Sequence, residues 1–442
     1  MQDADRLREV ANDCVHCGFC LPACPTYQLW AEEMDSPRGR IYLVNQILDG
    51  AELTPAAAQH FDRCLGCMAC MTACPSGVQY DQLIEAARVW TEEARPAPGD
   101  ENGTRRDRAL RDRAARAAIF ALFPYPRRLR AMIRPLRAAQ RTGLDRRLAR
   151  SGLPGRVSPT LGAALRLAPP PSVMTRLPER VAARGPRRAV AGMLTGCVQS
   201  VFFPQVNAAT ARVLALEGCD VIIPRGQGCC GALSLHSGRE AEAAAFARRT
   251  IETFERAGVD AIVVNSAGCG SAMKEYERLL SGDPDWAGRA SALSGRVRDL
   301  SEFLAALGPA APRHPLPVTA AYHDACHLGH AQRITRQPRE LLRAIPSLRL
   351  VELPDAGTCC GSAGVYNLLQ PEAASELGAR KAQAVLDAGA PLLISANPGC
   401  SLQIASALTD RGQHVTVAHT AEILDASLRG LPPPGAREGT AT

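Results

Sequence analysis

At 442 residues the chain exceeds one ordinary core, so two or three domains are expected. Apolar residues make up 46% and aromatics only 4%, which suits a soluble globular protein whose cores are built mainly from Ala, Leu and Val. The net charge of +7 is carried almost wholly by arginine, with lysine only at Lys274 and Lys381; no basic stretch is interleaved with stacking aromatics, so nucleic-acid binding is not expected.

Seventeen cysteines set the chemistry. An odd count argues against a closed disulfide framework, and the opening MQDADRLREVANDC lacks the apolar run of a signal peptide. The expectation is a cytoplasmic protein in which clustered cysteines mean metal or redox chemistry. No apolar run approaches the roughly 18 to 20 residues of a membrane span. Any membrane association is expected to be peripheral, at the cytoplasmic face of the inner membrane.

Residues 1–95 carry the first eight cysteines. The runs CVHCGFCLPACP and CLGCMACMTACP both fit C-x2-C-x2-C-x3-C-P, the pattern of two-cluster bacterial ferredoxins. Three thiolates two residues apart let a tight loop wrap three corners of an iron cube, and the next three residues carry the fourth thiolate away from it. The pattern therefore assigns Cys14, Cys17, Cys20 and Cys74 to one [4Fe-4S] cluster and Cys64, Cys67, Cys70 and Cys24 to the other. Gly18 and Gly66 fit a close backbone approach, and His16 reads as a polar loop residue. Zinc prefers separated C-x2-C knuckles, so a pair of zinc sites is disfavoured. Between the runs, Ile41, Leu43, Val44, Ile47 and Leu48 recur at helical spacing after Pro37 and before Gly50, and YDQLIEAARVWTEEAR gives another helix.

Residues 96–187 hold no cysteine and are rich in Arg, Ala and Pro. They read as helices broken by prolines that end in a linker, APPPSVMTRLPERVAARGPRR. A solvated basic connector is the plainer expectation, and a docking face for a partner or an anionic membrane surface the sharper one.

From residue 188 the chain repeats itself. Cys197 and Cys326 lie 129 residues apart, Cys229-Cys230-Gly231 and Cys359-Cys360-Gly361 lie 130 apart, and Cys269 and Cys400 lie 131 apart. The two modules are placed at 188–308 and 317–430. Short apolar runs (AVAGMLTG, CDVIIP, DAIVVNSAG; VTAAYHD, LRLVELP, PLLISAN) alternate with helical stretches, which argues parallel sheets with cysteines just after the strands. The fold class is thus α+β multidomain: a mainly helical two-cluster ferredoxin domain, then two α/β cysteine-rich modules. Cys197, Cys229, Cys230 and Cys269 form one candidate thiolate set, and Cys326, Cys359, Cys360 and Cys400 the other. Cys219 has no counterpart and reads as structural. His323, His327 and His330 around Cys326 read as ligands or proton carriers, or more simply as local hydrogen-bonding groups; the first module has no matching histidines.

CVHCGFCLPACPTYQLW, SPRGRIYLVNQILDG, NAATARVL, GCCGA, AGCGSAMKEY, HAQ, CCGSAGVYNL and NPGC together resemble the iron–sulfur subunit family of bacterial glycolate oxidase (glycolate dehydrogenase). The paired CCG modules alone are shared with heterodisulfide reductase subunits, the anaerobic glycerol-3-phosphate dehydrogenase anchor subunit and lactate-utilisation proteins. The resemblance implies a subunit of an oxidoreductase complex that takes electrons from FAD-containing partners as glycolate is oxidised to glyoxylate, and passes them towards quinone. It implies the eight N-terminal cysteines as ligands of two [4Fe-4S] clusters, with one or two further clusters in the modules. Where the wider family ends each module in C-x2-C, this chain has Cys269-Gly-Ser-Ala and Cys400-Ser-Leu-Gln, so the cluster type there stays open. No G-x-G-x-x-G opens a helix after a strand, no catalytic residue is expected, and the chain alone is expected to be inactive on glycolate. A disulfide reductase and a non-redox metal scaffold are the competing expectations.

Overall fold

The structure, a computed structural model, describes residues 4–95, 104–169 and 176–436. The N-terminal domain is helical, with helices Ala4–Asn12, Pro25–Trp30, Pro37–Leu48, Pro55–Arg63, Ala69–Ala73 and Tyr80–Glu93. Ser36 caps Pro37–Leu48 by accepting from the Gly39 amide at 3.0 Å, and Thr54 caps Pro55–Arg63 through the Ala57 amide at 3.2 Å. Proline opens both helices, where its missing N–H leaves no bond unmade. The apolar faces close around Leu7, Val10, Ile41, Val44, Phe61, Leu83 and Ile84, leaving the loops before Cys24 and after Cys64 to carry the thiols.

The Arg-rich segment folds into helices Thr104–Leu122, Pro126–Thr142, Leu144–Ser151, Leu153–Val157 and Pro159–Arg166. Prolines open three of them or stand in their first turn, but Pro135 lies inside Pro126–Thr142 without ending it. The segment is more than a solvated connector. Leu129 and Ile133 pack on Val201 and Phe202 of the first module, while Ile119 and Ala163 pack on Val365 and Leu368 of the second.

The modules contain a five-stranded and a four-stranded sheet. The first holds β1 (Arg180–Val181), β2 (Ala189–Met193), β3 (Cys219–Ile222), β4 (Ala261–Val264) and β5 (Val297–Asp299), in the order β1-β3-β2-β4-β5. The second holds β6 (Val318–His323), β7 (Leu348–Glu352), β8 (Leu392–Ser395) and β9 (Thr416–Ala418), in the order β7-β6-β8-β9. All pairings are parallel except β1, which runs antiparallel on the edge against β3, with Arg180 opposite Ile222. The sheet therefore starts inside the stretch read from sequence as linker.

Without β1, both sheets share one strand order, as the repeat requires. Between β4 and β5, however, the first module has helices Ala267–Lys274, Tyr276–Leu279 and Ala287–Ser294 where the second has the single helix Pro398–Asp410. The modules are also not separate bodies. One core runs through both, joining Met193, Leu214 and Leu304 to Tyr322, Leu341, Ile394 and Leu424. A bidentate Arg212–Asp425 pair (2.6 Å at its shortest) and a buried Arg313–Glu217 pair (2.5 Å) tie the halves at the rim.

Candidate functional site

The two N-terminal loops have one backbone design. In each, the third and fifth residues of C-x2-C-x2-C are left-handed: His16 (φ 54°) and Gly18 (φ 84°) in the first, Gly66 (φ 63°) and Met68 (φ 61°) in the second. Such a turn aims successive amides inward, as anion-binding loops do, and the Gly66 amide lies 3.4 Å from Cys64 Sγ. His16 thus holds a turn position that glycine holds in the other loop. At Gly18 and Gly66 a Cβ would meet the guanidinium groups of Arg38 and Arg88 at 3.0 and 2.9 Å, which specifies the close approach expected there.

Cys14, Cys17, Cys20 and Cys74 line one small cleft, together with Cys70. Cys24, Cys64, Cys67 and Cys70 line a second, beneath Arg40 and Tyr80. The fourth cysteine of each run therefore stands with the first three of the other. Burial raises the Cys20 thiol to about 11. Burial also acts to raise Cys64, but the Arg40 and Arg88 cations beside it outweigh that and bring it below the ordinary thiol range. Arg40 is itself fully buried, held by the His60 carbonyl (2.7 Å), Thr26 Oγ1 (3.1 Å) and Asp35 (3.3 Å).

In the first module Cys197 follows β2, Cys229 and Cys230 follow β3, and Cys269 sits on the helix after β4. Cys197 and Cys229 are 3.6 Å apart at sulfur, and Cys230 lies beside both Cys229 and Cys269. In the second module Cys326, Cys359, Cys360 and Cys400 lie beside one another in that order. Gly231 (φ 86°) and Gly361 (φ 87°) turn the chain after each cysteine pair; a Cβ at Gly361 would stand 2.7 Å from the Ala374 carbonyl. All seventeen cysteines are free. Cys219 lies buried in the shared core, away from both sets.

The cysteine sites are neighbours. Cys67 faces Cys326 and Cys359, and these three pack in one apolar cluster with Leu65 and Tyr366. His327 Nε2 lies 2.9 Å from the Gly66 carbonyl, and His330 bridges Thr72 Oγ1 (2.9 Å) to the Gly357 carbonyl (2.8 Å). These two histidines are not local hydrogen-bonding groups: they fasten the second module to the ferredoxin loop. The His327 ring meets the His236 ring at a tilt of 55°, with centroids 4.7 Å apart, and His236 faces Cys230 of the first module. The Ala267 amide bonds the Ala396 carbonyl (3.2 Å), bringing the two module sites edge to edge.

Known proteins match this chain segment by segment. Residues 10–78 match the 4Fe-4S dicluster domain, and 191–274 and 320–405 match the cysteine-rich domain CCG. Residues 111–168 match the linker region of the glycolate oxidase iron–sulfur subunit. The chain is 36% identical to the probable glycolate oxidase iron–sulfur subunit of Bacillus subtilis, covering 93% of each protein, and 36% identical to the glycolate oxidase iron–sulfur subunit of Escherichia coli, covering 95% of this chain and 94% of that one. The chain belongs to the glycolate oxidase iron–sulfur subunit family. Within that family the fold is the one described above: a 4Fe-4S ferredoxin-like domain followed by two CCG repeats. Lactate utilization protein A of B. subtilis is 31% identical over 52% of this chain and 96% of its own length. A hypothetical protein from Helicobacter pylori, known from its crystal structure, shares the fold at a TM-score of 0.51 and 9% identity, covering 88% of this chain and 68% of that one. Among the described residues no helix is long and apolar enough to cross a membrane.

Sequence reasoning missed Arg40, Asp35, His236, Tyr276 and Lys381, all at or behind the thiols. Lys381 alone carried a signal: it is one of two lysines in a chain that otherwise uses arginine.

Proposed function

We propose that this chain is the electron-transfer subunit of a flavin-linked glycolate dehydrogenase complex, receiving electrons from an FAD-containing partner subunit and delivering them towards the quinone pool. The supporting observation is the contiguity of four thiol-lined sites, from the cleft around exposed Cys17 through Cys70 and Cys67 to Cys326, with the first module alongside. The donors fit iron–sulfur clusters: free thiols, four per site, in turns whose amides face sulfur. Bound clusters would supply one-electron carriage.

The chain's own residues do the rest. Cys14, Cys17, Cys20 and Cys74 hold the outer site, and Cys64, Cys67, Cys70 and Cys24 the inner one. Arg40 and Arg88 offset thiolate charge at the inner site, while Leu65 and Tyr366 exclude water between it and the second module. Cys17 is exposed at the outer site, with Val15 and Phe19 beside it offering an apolar rim to a redox partner.

Two outcomes are expected. The chain alone should not oxidise glycolate; mixed with the flavin subunits it should restore electron flow from glycolate to a quinone analogue. Cys360→Ser should lower that flow while leaving glycolate able to reduce the partner's flavin in stopped flow, and normal turnover by the assembled Cys360→Ser complex would remove the second module from the path. Running the same assay with lactate separates the two substrates suggested by the relatives. For the crossed ligation, Cys74→Ser should alter the EPR signal of the site held by Cys14, Cys17 and Cys20, and Cys24→Ser that of the other. The reverse pattern would refute the crossing.

A further inference from the structure

The two modules repeat in backbone but not in the groups behind their thiols. β6 ends on His323, which is 1% exposed and has no hydrogen-bond partner at Nδ1 or Nε2. A fully buried imidazole without partners is anomalous, because buried polar groups are almost always satisfied. Its free nitrogens do face something: one ring nitrogen and the sulfurs of Cys360 and Cys400 all lie within 4.8 Å of one another. The repeat places Leu194 at this point of the first module, three residues before Cys197 as His323 is three before Cys326. Leu194 packs there in an apolar cluster with Cys230.

A second difference lies on the helix after each Cys-Cys-Gly. Gly231 touches Ala243 and Phe246, and Gly361 touches Ala374 and Leu377, which fixes the register of the two helices. In that register Thr250 of the first module corresponds to Lys381 of the second. Lys381 is buried, bonds the Asp355 carbonyl at 2.9 Å and faces Cys359, Cys360 and Cys400. A buried ammonium beside three thiols compensates negative charge, as a thiolate-held metal site requires. Burial first, and this ammonium after it, favour the neutral form of the neighbouring imidazole, with a lone pair to donate.

We propose that His323 is a metal ligand, its imidazole joining the Cys360 and Cys400 thiolates on one borderline-soft ion, iron or zinc. The second module's centre is then mixed nitrogen–sulfur, whereas the first is all-sulfur. Ligand atoms on one tetrahedral ion stand about 3.5 Å apart, given metal bonds of about 2.0–2.3 Å, so the three donors need only small side-chain movements to close on it.

The inference rests on the reading that the second module holds metal through its thiols, and the experiment separates the two. Full-length protein labelled with 15N-histidine is purified anaerobically as wild type, H323L, H323C and C360S. Iron, zinc and sulfide are counted, and electron spin-echo envelope modulation is recorded in oxidised and reduced states. H323L installs the residue the first module already carries, and thermal melting checks its fold. The expected result is a strongly coupled histidine nitrogen in wild type that is absent from H323L and H323C, with the metal content lost in H323L restored by the thiolate of H323C. Loss of one zinc per chain in H323L, with iron unchanged, would assign the same donors to zinc. Wild-type metal content and spectra in H323L overturn the proposal, as does iron loss from H323L when wild type shows no strongly coupled nitrogen. If C360S also keeps all its metal, the thiol reading falls with it; if C360S loses metal and H323L does not, only the histidine assignment falls.

Discussion

Asp35→Ala is expected to destabilise the N-terminal domain by about 3–5 kcal/mol, the usual effect of stripping one partner from a buried ion pair. Asp35 is fully buried, and its carboxylate meets Arg40 (3.3 Å), His60 Nδ1 (2.9 Å) and Arg63 (2.8 Å). Its backbone carbonyl accepts from Thr26 Oγ1 at 2.7 Å and from the Cys24 thiol at 3.7 Å. Without the carboxylate, the Arg40 guanidinium stays buried with only neutral oxygens and nearby thiols around it. A domain stability of about 5–15 kcal/mol leaves little margin for such a loss. Asp35→Asn keeps an acceptor but not the charge and should fall between. Hydrogen exchange over helices Pro37–Leu48 and Pro55–Arg63 measures the loss, and iron content reports whether the inner site survives. Exchange and iron both at wild-type levels in Asp35→Ala would show that the carboxylate has no such role.

What the sequence disclosed, and what it hid, follows from the range of each signal. The cysteine spacings and the offsets of 129 to 131 residues are local or periodic, so the ferredoxin loops and the repeated sheets could be read directly. So could Pro37–Leu48 and Tyr80–Glu93, whose apolar spacing matches the faces they bury. β1 could not, because two residues on a sheet edge carry no alternation. Pro135 misled because a proline ends a helix only where the lost bond and the ring clash are not absorbed by packing, and Leu129 and Ile133 anchor this helix on the first module. Arg40, in a stretch reading PRGR, looks like a solvent-facing residue until Asp35, His60 and Thr26 are seen around it. His327 and His330 find partners 261 and 258 residues away, a separation that no spacing rule reaches.

Docking of the N-terminal domain on the first module is expected to weaken as pH rises through about 7. Helix Tyr80–Glu93 brings Asp81, Glu85 and Arg88 to this interface, and the first module contributes His236, Glu275 and Arg278. Arg278 reaches all three carboxylates, Glu85 at 2.7 Å, Asp81 at 3.1 Å and Glu275 at 3.2 Å. Burial is the dominant influence on Glu85 and Glu275, and it raises both from 4.5 to about 7 despite Arg278. His236, 3.7 Å from Glu85, is driven by burial towards its neutral form and adds little positive charge. With one bridging arginine among three acids, the docked state retains a proton that exposed carboxyls would release. A raised carboxyl favours the docked state fully below about pH 4.5, and that contribution is lost as pH climbs through about 7, on the order of 2–3 kcal/mol for one retained proton. Glu85→Gln carries a permanent stand-in for the protonated acid, so it should flatten the dependence and protect the helix at pH 8. The measurement is hydrogen exchange of residues 80–93 from pH 6 to 8.5, corrected for intrinsic rate. Protection that rises with pH, or an unchanged slope in Glu85→Gln, would place the proton elsewhere.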